Sequence, residues 1–413
     1  MDTTPHHIVA IEGVHCEIPE FDLPGPHTRA VHRLTAQSDL PERVKDATII
    51  ITTTTRLTAE TLSPANTPKL RLIVIMATGT DCVDLAAATA RGVTVCNCPG
   101  SNVASVSEHA IGLYFAARRK FVELHNATVD VPSDLSLNTE WKTKGSLMSR
   151  VRAPDGKAPL LCGDETACIV GYGSLGKRIE TMAKGLGMNV IIAERKGVSP
   201  RPGRVGFEEA LKKSTVVILC LPRSAETINM ISAAEFQIMS PHGLLINVAR
   251  GGIVDEQALL DALKSGAISG AATDVYTKEP AGRGDSPLIS PEAAGLNLTL
   301  TPHLAWYSET TLNNLSASVK ITVEKWCRGE ILNQPAGRGP KAWRLCLEET
   351  TRSDIQTDSG HQTGKNFVQQ KIIFFGISYY KTSPAQMETG FEVGDEKRTI
   401  ENLLKGTAAR VNG

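Results

Sequence analysis

The sequence predicts an α/β protein of two doubly wound parallel-sheet domains, followed by a tail of low order. Three observations carry this. Short apolar runs alternate with stretches of helical period in each of two successive halves. In the second half a glycine triplet stands between an apolar strand and a helix, and beyond about residue 335 periodicity stops.

In the first half, ATIIITTTT (47–55), LRLIVIMATGT (70–80) and GVTVCNCPG (92–100) read as strands. Each ends in Thr, Gly, Asn or Pro, the small polar residues of loops at the carboxyl edges where α/β ligands bind. Alternation turns Cys96 and Cys98 to one face. NVASVSEHAIGLYFAARRK (102–120) reads as one long amphipathic helix closed by Arg and Lys, linking two domains. Residues 126–158 are polar, carry Pro, Gly and Asn, and predict a surface excursion.

A second alternating unit starts at TACIVGYGSLG (166–176). It continues through VVILCLP (216–222), GLLINVARGG (243–252), a helix over DEQALLDALKSG (255–266) and ISGAATDVY (268–276) to LTLTPHLAW (298–306). ETTLNNLSASVKITVEKWCRGE (309–330) is helical and is expected to return the chain to the first domain. The expected division is therefore one domain from 1–104 and 304–334, a second from 105–303, and a tail from 335–413. In that polar tail KIIFFGISYY (371–380) is the one strand-like run, too little to build a core.

Forty-four basic residues balance forty-four acidic ones, so no global field favours nucleic acid or an anionic membrane. A small-molecule partner is expected instead. The N-terminal MDTTPHHIVAIEGVH lacks the basic and apolar blocks of a secretory signal. No apolar run approaches the roughly 20 residues of a membrane span. The expected location is the cytoplasm. Nine cysteines, single apart from Cys96 and Cys98, read as reduced buried thiols rather than disulfides or zinc ligands, and no metal is expected.

IVGYGSLG places Gly171, Gly173 and Gly176 between a strand and the helix KRIETMAKGLG. Gly171 permits the tight turn, Gly173 lets the backbone approach a pyrophosphate, and Gly176 lets helix pack on strand. NVIIAE follows and ends in Glu194, about 20 residues on, where an acid bonds ribose hydroxyls and repels a 2′-phosphate. That pattern predicts a Rossmann domain binding NAD, with NADP kept open by Arg195 and Lys196.

A dehydrogenase for 2-hydroxy acids needs a cation for the 2-oxo carboxylate group and a proton donor at the carbonyl oxygen. Arg250, after LLINVA, is the candidate cation. Glu279 precedes Pro280 in TDVYTKEP, and His303 follows Pro302 in LTPHLAW. A carboxylate bonded to the histidine fixes its tautomer and favours the imidazolium, the logic of an acid–base pair.

The stretches ATGTDCVDL (77–85), GYGSLG (171–176), NVARGGIVDEQAL (247–259), DVYTKEP (274–280) and TPHLAW (301–306) resemble the D-isomer-specific 2-hydroxyacid dehydrogenase family over about residues 8–334. The resemblance implies a flavodoxin-like substrate domain, a Rossmann NAD-binding domain and a catalytic trio of Arg250, Glu279 and His303. It implies that Thr78 and Gly79 hold the substrate carboxylate. It assigns Ser174, Leu175, Glu194, Leu221, Val248, Ala249 and Asp274 to the cofactor, beside the glycines, Arg250 and His303. Asp274 is expected on the nicotinamide side. It implies a homodimer too, for which the helix at 102–120 offers a contact. Glu194 departs from the family's usual Asp, and a tail like that after 335 is not usual in the family.

TPHLAWYS resembles the glycerate dehydrogenase and hydroxypyruvate reductase branch, where Trp306 would narrow the pocket for glyoxylate, hydroxypyruvate or D-glycerate. Packing at the domain junction is the other reading of Trp306. D-3-phosphoglycerate dehydrogenase stays open as an alternative, although it calls for further cations. A formate dehydrogenase would do without Glu279. From another class, the family also resembles NAD-sensing corepressors, binding modules that keep the fold and the trio.

Overall fold

The computed structural model describes residues 5–134 and 136–335. The expectations placed on the tail, its low order and the strand-like run at 371–380, lie outside the described residues.

Five strands, β1 (His6–Ala10), β2 (His27–Val31), β3 (Ile49–Thr52), β4 (Leu72–Ile75) and β5 (Thr94–Asn97), form a parallel sheet in the order β2-β1-β3-β4-β5. This is the flavodoxin-like order. Alternation divides its side chains between two cores. Ile8, Ile49, Ile51, Val74, Cys96 and Cys98 pack with Leu315, Val319 and Val323 of the helix Glu309–Cys327. Val9, Ile50, Ile73 and Val95 face the opposite way, onto Leu40, Val44 and Ala88. Each such apolar side chain removed from water contributes about 1.5–3 kcal/mol.

Six further strands, β6 (Thr166–Val170), β7 (Asn189–Ile192), β8 (Val216–Leu219), β9 (Leu244–Asn247), β10 (Gly270–Thr273) and β11 (Leu298–Leu300), form a second parallel sheet, ordered β11-β10-β9-β8-β6-β7. Outside β7 a single parallel bridge, Ala193 to Val205, adds one more step. Counting it as a reduced strand restores the Rossmann order, whose reversal lies between β6 and β8.

The helix Val103–Arg118 lies on this second sheet and on the helix Ser174–Gly185, burying Val106, Ala110, Leu113, Tyr114 and Ala117. Its apolar face is thus already covered. The excursion is more structured than its composition suggested, with helices Phe121–Val129, Glu140–Lys144 and Met148–Val151. Arg150 ties them together through Glu123 and Glu140. Exposed apolar side chains gather there: Phe121, Val129, Val131, Trp141, Met148 and Leu161. No helix among the described residues is long and apolar enough to cross a membrane.

Candidate active site

The glycine loop stands where the strand order reverses. Gly171 follows β6 at φ +99°, and a Cβ there would lie 2.6 Å from the Cys220 carbonyl oxygen and 2.8 Å from Leu221 Cβ. Gly171 and Leu221 therefore flank one crevice. A Cβ on Gly176 would meet the Gly171 carbonyl oxygen at 2.2 Å, so only glycine lets the helix sit so close to β6. Gly173 differs, since its Cβ would meet nothing within 4 Å. Open space over Gly173, beside the first amides of a 12-residue helix that begins at Ser174, fits a dinucleotide pyrophosphate. Leu175 is half-buried next to it, and Val248 and Ala249 are buried at the end of β9.

Glu194 has four hydrogen-bond donors from the protein. It is buried, and its carboxylate accepts hydrogen bonds from Arg201 Nε (2.6 Å) and Nη2 (2.7 Å) and from the amides of Arg195 (3.0 Å) and Arg201 (3.3 Å). Arg201 above all, then the Arg195 amide, brings the carboxyl down to about 2. The acid expected at the ribose is thus engaged by the protein itself. Lys196, expected as a cation for a 2′-phosphate, is occupied elsewhere: its Nζ lies 2.7 Å from Glu235 and 3.1 Å from the Met230 carbonyl oxygen. Arg195 is exposed.

Arg250 leaves β9 on a turn that Asn247 bridges, accepting from the Ala249 amide and donating to the Arg250 carbonyl. Its guanidinium crosses to the first sheet. Nε lies 3.0 Å from Asp81 Oδ2, and a Cβ on Gly79 would stand 2.0 Å from Nη2, so the bare glycine makes room for the cation. The Thr78 hydroxyl lies 3.1 Å from both the Cys98 carbonyl oxygen and Asn102 Oδ1, and Asn97 donates to the Thr78 carbonyl. These contacts fix the 78–79 loop at the carboxyl edge of β4.

His303 Nδ1 lies 2.6 Å from Glu279 Oε2, while Glu279 Oε1 accepts from the Tyr276 amide. Nε2 of His303 has no protein partner among the described residues, and the ring is 38% exposed. Burial pushes the Glu279 carboxyl up, but the His303 bond and charge, the Tyr276 amide and the Arg250 charge outweigh it, and it titrates below the usual value. His303 itself sits at φ +55°, a left-handed conformation that costs a non-glycine residue about 1–3 kcal/mol.

What holds that turn is Asp274, the residue expected on the nicotinamide side. Asp274 is 1% exposed, and its carboxylate accepts from the Thr301 hydroxyl (2.6 Å) and the amides of Leu304 (3.0 Å) and Ala305 (2.9 Å). Its oxygens face the loop that carries His303, and His109 Nε2 lies 3.6 Å from Oδ1. Trp306 also serves this loop: its indole N–H donates to the His303 carbonyl at 3.0 Å, and its ring packs against the cores of both sheets.

Two carboxylates escaped the sequence reading. Asp81 stands two residues beyond Gly79 inside a stretch already singled out, yet nothing local reveals that it meets Arg250, 169 positions away. Glu12 is buried beyond β1 and accepts from the amides of Thr53 (2.8 Å), Thr54 (2.7 Å) and Thr55 (2.7 Å). His15, 3.6 Å from Glu12, stands edge-on to Trp306. The run of four threonines was the available signal for that loop.

A glycine crevice with a histidine–carboxylate pair and a guanidinium at the carboxyl edge of the same sheet, the guanidinium meeting the other sheet's carboxyl edge, is the arrangement of a nicotinamide-dependent dehydrogenase. Known proteins agree. Residues 139–305 match the NAD binding domain of D-isomer specific 2-hydroxyacid dehydrogenases. Glycerate dehydrogenase of Methylorubrum extorquens is 36% identical over 323 residues, which span 78% of this chain and 96% of that protein. Glyoxylate reductase of Pyrococcus furiosus is 32% identical over 299 residues, 71% of this chain and 83% of its own length. Among solved structures, an acyclic imino acid reductase with bound NADPH and D-Arg superposes with a TM-score of 0.63 at 26% identity, covering 80% of this chain and 99% of its own. The chain belongs to the D-isomer specific 2-hydroxyacid dehydrogenase family, NAD-dependent oxidoreductases acting on CH–OH donors.

Proposed function

We propose that the chain interconverts a small 2-oxo acid and its D-2-hydroxy acid: glyoxylate or hydroxypyruvate in reduction, D-glycerate in oxidation. One observation carries the reading, the 2.6 Å contact of His303 with Glu279 at a crevice where the Arg250 charge also acts on Glu279. Bound NADH supplies the hydride. Arg250 and the backbone of Thr78 and Gly79 hold the substrate carboxylate, and Arg250 polarises the 2-oxo group. His303 gives the proton on Nε2 to the carbonyl oxygen, and Glu279, ionised throughout, balances the imidazolium before transfer. The indole of Trp306, tied to the His303 carbonyl, stands beside that acid and supports small substrates. Names of relatives, glycerate dehydrogenase and glyoxylate reductase, support the same range. On this reading residues 1–104 and 304–334 bind substrate and 105–303 bind the dinucleotide.

A cytoplasmic homodimer completes the proposal, its contact formed by residues 121–161, where the exposed apolar side chains gather, rather than by the helix expected to supply it. No nucleic acid or membrane surface is assigned as a partner. Oxidation of NADH with hydroxypyruvate, glyoxylate and 3-phosphohydroxypyruvate tests the substrate. No turnover of any of them defeats the enzyme reading, and preference for the phosphorylated acid defeats the small pocket. His303→Ala should retain NADH binding and lose about 10²–10⁴-fold in turnover; unchanged turnover removes His303 from this role.

A further inference from the structure

We propose that Arg201 opens the adenosine end of the crevice to a 2′-phosphorylated dinucleotide, so that this chain binds NADPH alongside NADH. The proposal rests on the reading of the crevice as a dinucleotide site.

A carboxylate oxygen offers two acceptor positions, and in Glu194 all four are filled: Oε1 by Arg201 Nη2 and the Arg195 amide, Oε2 by Arg201 Nε and the Arg201 amide. No acceptor is left for a ribose hydroxyl while this geometry holds. The paired guanidinium also cancels the charge that would repel a 2′-phosphate. Both effects by which an acid at this position selects the unphosphorylated cofactor are therefore blunted by one side chain.

Arg201 can do more than cancel. It is 63% exposed, and its Nη1 has no protein partner among the described residues. The loop that carries it is anchored to the cofactor loop, because the Arg204 guanidinium lies 4.6 Å over the ring of Tyr172, between Gly171 and Gly173. The Arg204 amide donates to the Arg201 carbonyl at 3.0 Å, so the two arginines share one turn. Arg195 is exposed beside Glu194, with the charge of Glu226 near it. Arg195, Arg201 and Arg204 thus bring three guanidinium groups to this stretch of chain, and Arg201 is the one paired with Glu194. A phosphate dianion is the ligand whose charge and planar oxygen edges match free guanidinium N–H groups.

The test is direct titration of NADH and NADPH by nucleotide fluorescence, with no substrate present. Wild type should bind the two with dissociation constants within about tenfold of each other. Arg201→Gln should weaken NADPH about tenfold or more and tighten NADH severalfold, because Glu194 then recovers acceptors for the ribose. Glu194→Gln should act oppositely, tightening NADPH by releasing Arg201. A merely structural pair would move both nucleotides together. Wild type that binds NADPH more than about a hundredfold weaker than NADH overturns the proposal, as does an Arg201→Gln variant whose ratio is unchanged. Failure of wild type to bind either nucleotide strikes the crevice reading itself and removes this proposal with it.

Discussion

Asp274→Asn separates two roles for one buried carboxylate. The change is nearly isosteric. Oδ1 accepts from the Thr301 hydroxyl and the Leu304 amide, and Oδ2 accepts from the Ala305 amide. Whichever way an asparagine amide is turned, its NH2 group confronts at least one backbone N–H. The loss is one charge-assisted hydrogen bond, about 1.5–3 kcal/mol, with a buried donor left unmet. That matches the strain of about 1–3 kcal/mol held in the left-handed turn at His303, so the turn is expected to relax. A displacement of about 1 Å at the acid costs turnover on the order of a hundredfold. Unfolding should fall by roughly 3 °C in a chain of this size. NADH affinity should change less than about threefold, because the carboxylate is 1% exposed and faces the loop. Thermal unfolding, single-turnover reduction and NADH titration measure the three quantities. An unchanged melting temperature together with a tenfold or greater loss of NADH affinity would show the carboxylate serving the cofactor, and refute this reasoning.

Glu12→Gln tests the threonine loop through pH. Burial raises the Glu12 carboxyl, but bonds from His15, Thr54 and the amides of Thr55 and Thr53 outweigh it and hold it well below the ordinary value of 4.5. Its contribution is full above pH 4.5 and fades as the pH falls toward the depressed folded value. The variant should therefore be less stable than wild type at pH 7, by about 1–3 kcal/mol, and the gap should close below pH 4.5; a gap that widens on acidification contradicts the assignment. Trp141→Glu, on the exposed apolar surface of residues 121–161, should convert the proposed dimer to monomer in sedimentation velocity, and an unchanged dimer moves the interface elsewhere.

What was legible in the sequence was what local pattern encodes. Central strands buried on both faces, such as Ile49–Thr52 and Val216–Leu219, appear as unbroken apolar runs, and the glycine triplet is read within six residues. The edge strand His27–Val31 is polar and largely exposed, so no run announces it, and Val205 contributes a single bridge. Side-chain partnership is a different matter. That an acid stands at 194, at the end of the strand after the glycine loop, could be read; that Arg201 would fill its acceptors depends on how a loop folds back. Asp274 was noticed for its position, but its direction is set by a turn at 301–305 that begins a further 27 residues along.

The same limit explains why the cation of the site could be named while its contact with Asp81 could not. Arg250 belongs to the second sheet, yet its neighbours Gly79 and Asp81 belong to the first. The Asp81 contact is partly exposed and so contributes little to stability, on the order of 0–1 kcal/mol. Its consequence is electrostatic: the guanidinium meets a carboxylate across the crevice before any acid substrate arrives. A 2-oxo acid brings its own carboxylate to that cation, in two-oxygen geometry that Nε alone does not satisfy. In the proposed reaction the substrate carboxylate therefore meets a cation that Asp81 already touches through Nε.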